Sequence, residues 1–406
     1  MGSMMERVLA PWAQRVRERA NLPARLSWGA DDGAGLALGD GEPPGVHIRV
    51  RDAQALRLLV NPSLATLGQA YVEGLIDVEG ELPEVLRVAR RLAETAEPPQ
   101  GLLGRIQRQF QHSRQGDRQA IAYHYDVSNA FYAQWLDPAM VYSCAYFEQG
   151  DETLAEAQRK KIDHILTKIR LQPGQRLLDV GCGWGALVLR AAQRFGARCV
   201  GITLSQQQFE LATERVQAAG LQDRIQIRLQ DYRDVDDEPF DRITSVGMFE
   251  HVGVRHLAAY FKRLRELLVE GGWAMNHGIT STDAHDGEVA LGGGGFIERY
   301  VFPQGELAHI GTVLRALQEG GLEAVDVENL RRHYARTLGC WSDAFEAGAA
   351  RIKPLVSEKQ WRIWRVYLAG CAWAFESDQI SLYQVLCRPA GRSAGELPWS
   401  RHWMYT

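Results

Sequence analysis

The sequence predicts an α/β fold: a mostly parallel sheet covered by helices on both faces, preceded by a small α+β domain. Three observations carry this expectation. From Leu154 onward, short strand-like runs alternate with helical patterns, the arrangement of strands joined by crossover helices. The first of those runs ends in Gly181-Cys182-Gly183-Trp184-Gly185, a glycine turn that opens a helix. A length of 406 residues suits two domains, and the first stretch lacks the later alternation.

The first domain is expected over residues 5–97. Val46-His47-Ile48-Arg49-Val50-Arg51 alternates apolar and polar residues, which predicts a half-buried strand. An acidic turn with Asp77, Glu79 and Glu81 precedes a helix carrying Val85, Val88, Ala89 and Leu92 on one face. A linker over 98–118 follows. It places Leu102, Leu103, Ile106 and Phe110 on one helical face, with Arg105, Arg108, Arg114 and Arg118 around them. Such a segment suits either an anionic membrane surface or a solvated interdomain helix.

The larger domain is expected over 119–390, with a tail at 391–406. Its predicted order is a helix Leu154–Ile169, strand 176–180, a helix to Phe195, strand 199–204 and a helix 206–219. Strands at 225–229, 242–246 and 273–276 complete it. Beyond Phe296 the chain reads as largely helical. Trp361, Trp364, Tyr367, Trp373 and Phe375 read there as core rather than as a binding box.

Composition narrows the function classes. Hydrophobic residues at 46% and charged residues at 24% exclude a disordered or fibrous chain. No run approaches the roughly 18 apolar residues of a membrane-spanning helix, so surface attachment is the only membrane contact expected. Lys plus Arg number 46 against 50 for Asp plus Glu, a net charge of −4, which argues against a nucleic-acid partner. The six cysteines form no CxxC pair and no zinc spacing, so no metal is expected. Few cysteines and no signal peptide point to reduced thiols in the cytoplasm. Met1-Gly2-Ser3-Met4 is set aside from fold reasoning.

The chemistry concentrates at predicted strand ends. Leu177-Leu178-Asp179-Val180 runs into Gly181-x-Gly183-x-Gly185, where glycines let backbone approach a ligand at the carboxyl edge of the sheet. This is neither the dinucleotide fingerprint nor a phosphate loop, and it resembles motif I of the S-adenosylmethionine methyltransferases. The next strand ends in Thr203-Leu204-Ser205 without an acid, which leaves Thr203 and Gln208 to bind ribose hydroxyls as neutral partners; Ser205 reads as a helix cap. Asp231 and Tyr232 suit adenine, the acid accepting from the exocyclic amine and the ring packing on the base. An exposed turn is the other reading of Asp231. Glu250 and His277, beyond the fourth and fifth strands, converge on the same crevice in this topology.

Tyr123 to Asn129, Tyr142 to Phe147, Asp179 to Gly185, Gln230 to Arg233, Gly247 to Gly253, His277-Gly278-Ile279 and Tyr334 to Leu338 occur in one order. In this the chain closely resembles the cyclopropane-fatty-acyl-phospholipid synthases and the related mycolic acid cyclopropane synthases, over about residues 60–390. Tyr71 to Gly80 extends the likeness into the first block and favours the phospholipid branch. The resemblance implies a class I methyltransferase-like (Rossmann-like) sheet with a helical cap. It implies methylene transfer from S-adenosylmethionine to a cis double bond of an acyl chain in a membrane phospholipid. The alkene takes the methyl, a carbocation forms, and bound bicarbonate removes the proton as the ring closes. The bicarbonate contacts map onto Cys144, Glu250, His277, Ile279 and Tyr334, with Cys144 and Ile279 contributing main-chain N–H groups. Tyr142 and Ser143 match positions that hold S-adenosylmethionine, with Asp179, Gly181, Gly183, Thr203, Leu204, Gln208, Asp231 and Tyr232. The implied partner is unsaturated phospholipid, met peripherally at the inner membrane face by a monomer or homodimer.

A carbocation demands a dry site and a base already in place. The aromatics of Tyr123-His124-Tyr125 and Phe131-Tyr132 suit an acyl channel and equally the packing of a helical cap. Gly292 to Gly295 reads as a flexible run, and no role is assigned to Pro398 to Trp403. Two other functions share the cofactor motifs: a methyltransferase that branches lipids or methylates an amine, and a non-catalytic lipid-binding protein.

Overall fold

A computed structural model describes residues 2–29, 34–41, 43–96, 127–284, 293–302, 305–391 and 397–405. The expected linker 98–118, Tyr123 to Asp126 and Gly292 lie outside the described residues. The chain forms two compact units. The first is drawn from Met1–Phe110, Glu288–Pro303 and Val356–Cys371, the second from Gln111–Gly287, Gln304–Leu355 and Ala372–Thr406.

In the first unit β1 (Ala24–Trp28), β2 (Ala34–Ala37), β3 (Val46–Val50) and β4 (Ile76–Gly80) form a sheet in the order β2-β1-β3-β4. Val46, Ile48 and Val50 are buried while His47 and Arg49 are only half-buried, as their alternation requires. Helix Leu82–Glu94 buries Val88 and Leu92 in the same core. Helix Gly2–Ala20 begins within the residues set aside above and buries Leu9, Trp12, Ala13 and Val16, a spacing of one helical face. The glycine run opens helix Gly293–Tyr300. Phe296 of that helix lies so close to Gly68 that a Cβ there would sit 2.7 Å from its ring.

The second unit holds a seven-stranded sheet, order β10-β11-β9-β8-β5-β6-β7. Its members are β5 (Arg176–Val180), β6 (Arg198–Thr203), β7 (Ile225–Leu229), β8 (Phe240–Val246), β9 (Leu268–Ser281), β10 (Leu322–Asn329) and β11 (Ile380–Pro389). The five expected strands pair in parallel. Two corrections follow. The chain beyond Phe296 is not only helical, because β10 and β11 add two antiparallel strands. The fifth strand also runs 14 residues rather than four. β11 buries Ser381, Gln384 and Arg388 among its apolar residues, so it carries no clean alternation.

Helices Leu154–Lys168, Ala186–Phe195 and Gln206–Ala218 bury Ile165, Val188 and Val216 in one core. Leu257–Leu267 and Ile310–Glu319 bury Phe261 and Leu317 in the other. The sheet is thus covered on both faces. β5 lies between β6 and β8, so the chain switches direction at its carboxyl end, where this topology opens a crevice. Phe131, Tyr132, Trp135, Trp341 and Phe345 form a buried aromatic group in the helical cap. Trp361, Trp364, Tyr367 and Phe375 are buried, and Trp373 is half-buried. Among the described residues no helix is long and apolar enough to cross a membrane.

Candidate active site

A cavity of about 400 Å³ opens at the carboxyl ends of β5 to β8. All ten residues expected to hold the cofactor line it: Tyr142, Ser143, Asp179, Gly181, Gly183, Thr203, Leu204, Gln208, Asp231 and Tyr232. Gly181, Gly183 and Gly185 all have positive φ (81°, 53° and 83°), a backbone that side chains strain to adopt, so glycine is what the turn permits. A Cβ on Gly181 would also crowd Met248 at 3.3 Å.

The polar lining is held in place by its own partners. Asp179 accepts from Thr244 Oγ1 at 2.7 Å, and burial raises its carboxyl to about 6 against the pull of Thr244 and Lys161. Thr203 Oγ1 bonds the Gln208 side chain at 2.8 Å and accepts from Ser205 N–H, so the pair expected at the ribose is one unit. Ser205 caps its helix. Asp231 is buried rather than exposed and is gripped by Arg233, with Nε 2.8 Å from Oδ1 and Nη2 2.6 Å from Oδ2. Oδ1 also accepts from the Arg233 backbone N–H at 3.0 Å, so its lone pairs are already engaged. Ser143 Oγ accepts from Lys161 Nζ at 2.6 Å.

The other five expected residues, Cys144, Glu250, His277, Ile279 and Tyr334, are not among those that line this cavity. β9 outruns β8, whose last residue Val246 pairs with His277, so the Ile279 N–H faces no strand. Glu250 Oε1 takes that N–H at 2.7 Å. Ile279 thus supports Glu250 instead of offering an open donor. Gly278 makes the fit possible: a Cβ there would lie 1.9 Å from Phe249. Across the sheet Ile279 pairs with Leu382, whose carbonyl accepts from Leu330 N–H. The Leu330 carbonyl in turn accepts from Tyr334 N–H and lies 3.8 Å from the Cys144 thiol. Main-chain bonds thus link Ile279 to Tyr334 through Leu382 and Leu330, and the Cys144 thiol meets the same Leu330 carbonyl.

Cys144, Glu250, His277 and Tyr334 are buried, and Ile279 is half-buried. Among the described residues Glu250 Oε2 and both ring nitrogens of His277 have no hydrogen-bond partner. Burial raises the Glu250 carboxyl to about 7, and it holds His277 well below its ordinary value, helped by Lys161 and Lys168. Burial likewise pushes the Cys144 thiol up, which disfavours its thiolate. The cavity and these residues are linked along the chain, since Ser143 precedes Cys144 and Met248 lies two residues before Glu250.

Three positioning residues escaped the sequence reading. Thr244 holds Asp179, Asn129 accepts from Trp184 Nε1 at 2.7 Å, and Lys161 is buried in the cavity wall. Lys161 follows Ala157 by four residues and precedes Ile165 by four, so helical phase puts it on the apolar face. A charge in that phase was the available signal.

Residues 112–385 match the family described as mycolic acid cyclopropane synthetase, and 12–97 match a domain of unknown function. The chain is similar to a probable fatty acid methyltransferase of Pseudomonas putida, 46% identical over 394 residues, covering 95% of this chain and 97% of the relative. It is 33% identical to the cyclopropane-fatty-acyl-phospholipid synthase of Escherichia coli (strain K12), covering 87% and 90%. Among solved structures it resembles mycolic acid cyclopropane synthase CmaA1 complexed with SAH and CTAB, at 37% identity and a TM-score of 0.63, covering 66% of this chain and 97% of that one.

Proposed function

Because the chain belongs to the S-adenosylmethionine-dependent methyltransferase family of cyclopropane and methyl fatty acid synthases, we propose that it builds a cyclopropane on the cis double bond of an unsaturated phospholipid acyl chain. What supports the reading is a pair of buried groups with open hydrogen-bonding atoms: the Glu250 carboxyl, held by the Ile279 N–H, and the His277 imidazole. Those orphaned atoms fit a small guest that both donates and accepts, as bicarbonate does. When bound, S-adenosylmethionine supplies an electrophilic methyl, and bicarbonate supplies a proton acceptor.

The chain's own residues do the rest. A neutral imidazole at His277 has one nitrogen to donate and one to accept. Glu250, with a carboxyl near neutrality, can hold a proton at Oε2 or accept one there. The Ile279 N–H fixes its other oxygen, so Glu250 cannot swing away. Buried Cys144 and Phe249 add apolar wall, which a cationic intermediate on the acyl chain needs. The lipid is met peripherally, from the cytoplasmic side.

A methyl- or methylene-branched product is the second reading, favoured by the length of the match to the fatty acid methyltransferase. Incubation with unsaturated phospholipid vesicles and S-adenosylmethionine, followed by lipid mass spectrometry, separates the two. The expected product has gained CH2 and resists mild hydrogenation. A product that has gained CH2 but is reducible favours a branch that keeps its double bond; a saturated methyl branch, heavier by two further hydrogens, would need an added reductant, and unmodified lipid rejects both.

A further inference from the structure

Lys161 is 2% exposed, and its ammonium has one hydrogen-bond partner, the neutral Ser143 hydroxyl. No carboxylate lies within 4 Å of it among the described residues, although Lys160 beside it has two. A buried ammonium with a single hydroxyl partner is costly, and burial accordingly lowers its pKa to about 8. The side chain nevertheless faces the cavity, at the β5 end, with Asp179 and Ser143. Asp231 and Tyr232 stand past β7, and Thr203 ends β6. A ligand with its base at β7 and its ribose at β6 reaches β5 after two strand spacings, about 10 Å. That end of S-adenosylmethionine carries an amino acid. Arg233, the other cation of the wall named so far, is held by Asp231.

We propose that Lys161 is a positioning residue that anchors the carboxylate of the amino-acid end of S-adenosylmethionine, with Ser143 orienting its ammonium. The proposal rests on the cavity being the cofactor site. It gives the buried charge the counterion that the protein itself withholds, and it fixes the ligand end nearest the reacting sulfur.

The test is calorimetric binding of two compounds to the full chain: S-adenosylhomocysteine, which carries the amino acid, and 5′-methylthioadenosine, which does not. Lys161→Met exchanges a buried charge for an apolar chain of similar length, and Lys161→Gln keeps a polar contact to Ser143. Both are expected to weaken S-adenosylhomocysteine roughly 10- to 100-fold, the loss of a charge-assisted bond, and to leave 5′-methylthioadenosine within about twofold. Equal loss of both compounds overturns the proposal, because Lys161 would then only support the fold. Unchanged binding of both overturns it too. Native protein that binds neither compound rejects the cofactor cavity itself, a different failure from an unaltered ratio in the variants.

Discussion

At the scale of single residues, the consequential one is Glu250. Its carboxyl is raised to about 7 by burial, against 4.5 for an unperturbed glutamate. An acid raised by folding makes the folded state bind more protons between those two values, so its burial costs most above pH 7 and the cost fades toward pH 4.5. Glu250→Gln removes the charge but keeps an oxygen for the Ile279 N–H. The variant is expected to gain thermal midpoint over the native protein at pH 8, with the gain shrinking by pH 5. It should lose most turnover while S-adenosylhomocysteine affinity changes little, because Glu250 is not among the residues that line the cavity proposed to hold the cofactor. Unchanged turnover would remove Glu250 from the chemistry, and a gain larger at pH 5 would contradict its raised pKa.

At the scale of elements, what could be read depended on local pattern. β5 and β7 match their expected bounds, because runs such as Arg176 to Val180 are short, apolar and followed by turn residues. β10 escaped because Glu323, Asp326 and Glu328 break its apolar pattern, and their partners Arg388 and Lys168 come from distant parts of the chain. The ten cavity residues were legible because strand ends and glycines mark them; Lys161 was not, because its neighbours Arg159 and Lys160 made it look like one more solvated charge. The tail, unassigned from sequence, docks on the second unit. Arg401 pairs with Asp326 at 2.9 Å, Trp403 meets Trp273 edge to face, and Met404 is buried. Packing should outweigh charge here, since Arg401 is largely exposed and Asp326 keeps Lys168. Met404→Ala is expected to cost about 2 kcal/mol in urea denaturation, and Arg401→Ala less than about 1 kcal/mol. The reverse order would show that the ion pair holds the tail.

At the scale of the whole molecule, the first unit is not a bead that ends where its early sequence ends. Its core and surface are completed by stretches almost 200 residues or more further along. Phe296 packs on Gly68, and the Tyr300 hydroxyl donates to Glu73 at 2.9 Å. Lys359 also binds Glu73, and Arg362 binds Asp77 at 2.8 Å together with the carbonyls of Tyr71 and Ile76. Glu73 is held below its ordinary value by those bonds from Lys359 and Tyr300, so the contacts favour its charged form. The relative CmaA1 covers 66% of this chain, which shows that the larger fold exists without an equally long partner sequence. In this chain, however, Phe296, Tyr300 and Arg362 have partners between residues 68 and 77. Removing residues 1–97 would return two large aromatics to water, on the order of 3 kcal/mol, or a fall of roughly 6–12 °C in thermal midpoint. The shortened protein should therefore melt earlier and bind a hydrophobic dye that the full chain does not. Glu73→Ala, which takes one carboxylate from two partners, should move the midpoint in the same direction by a smaller amount. A shortened chain with the full chain's midpoint and no dye binding would mean that the later segments are stable without the N-terminal residues they touch.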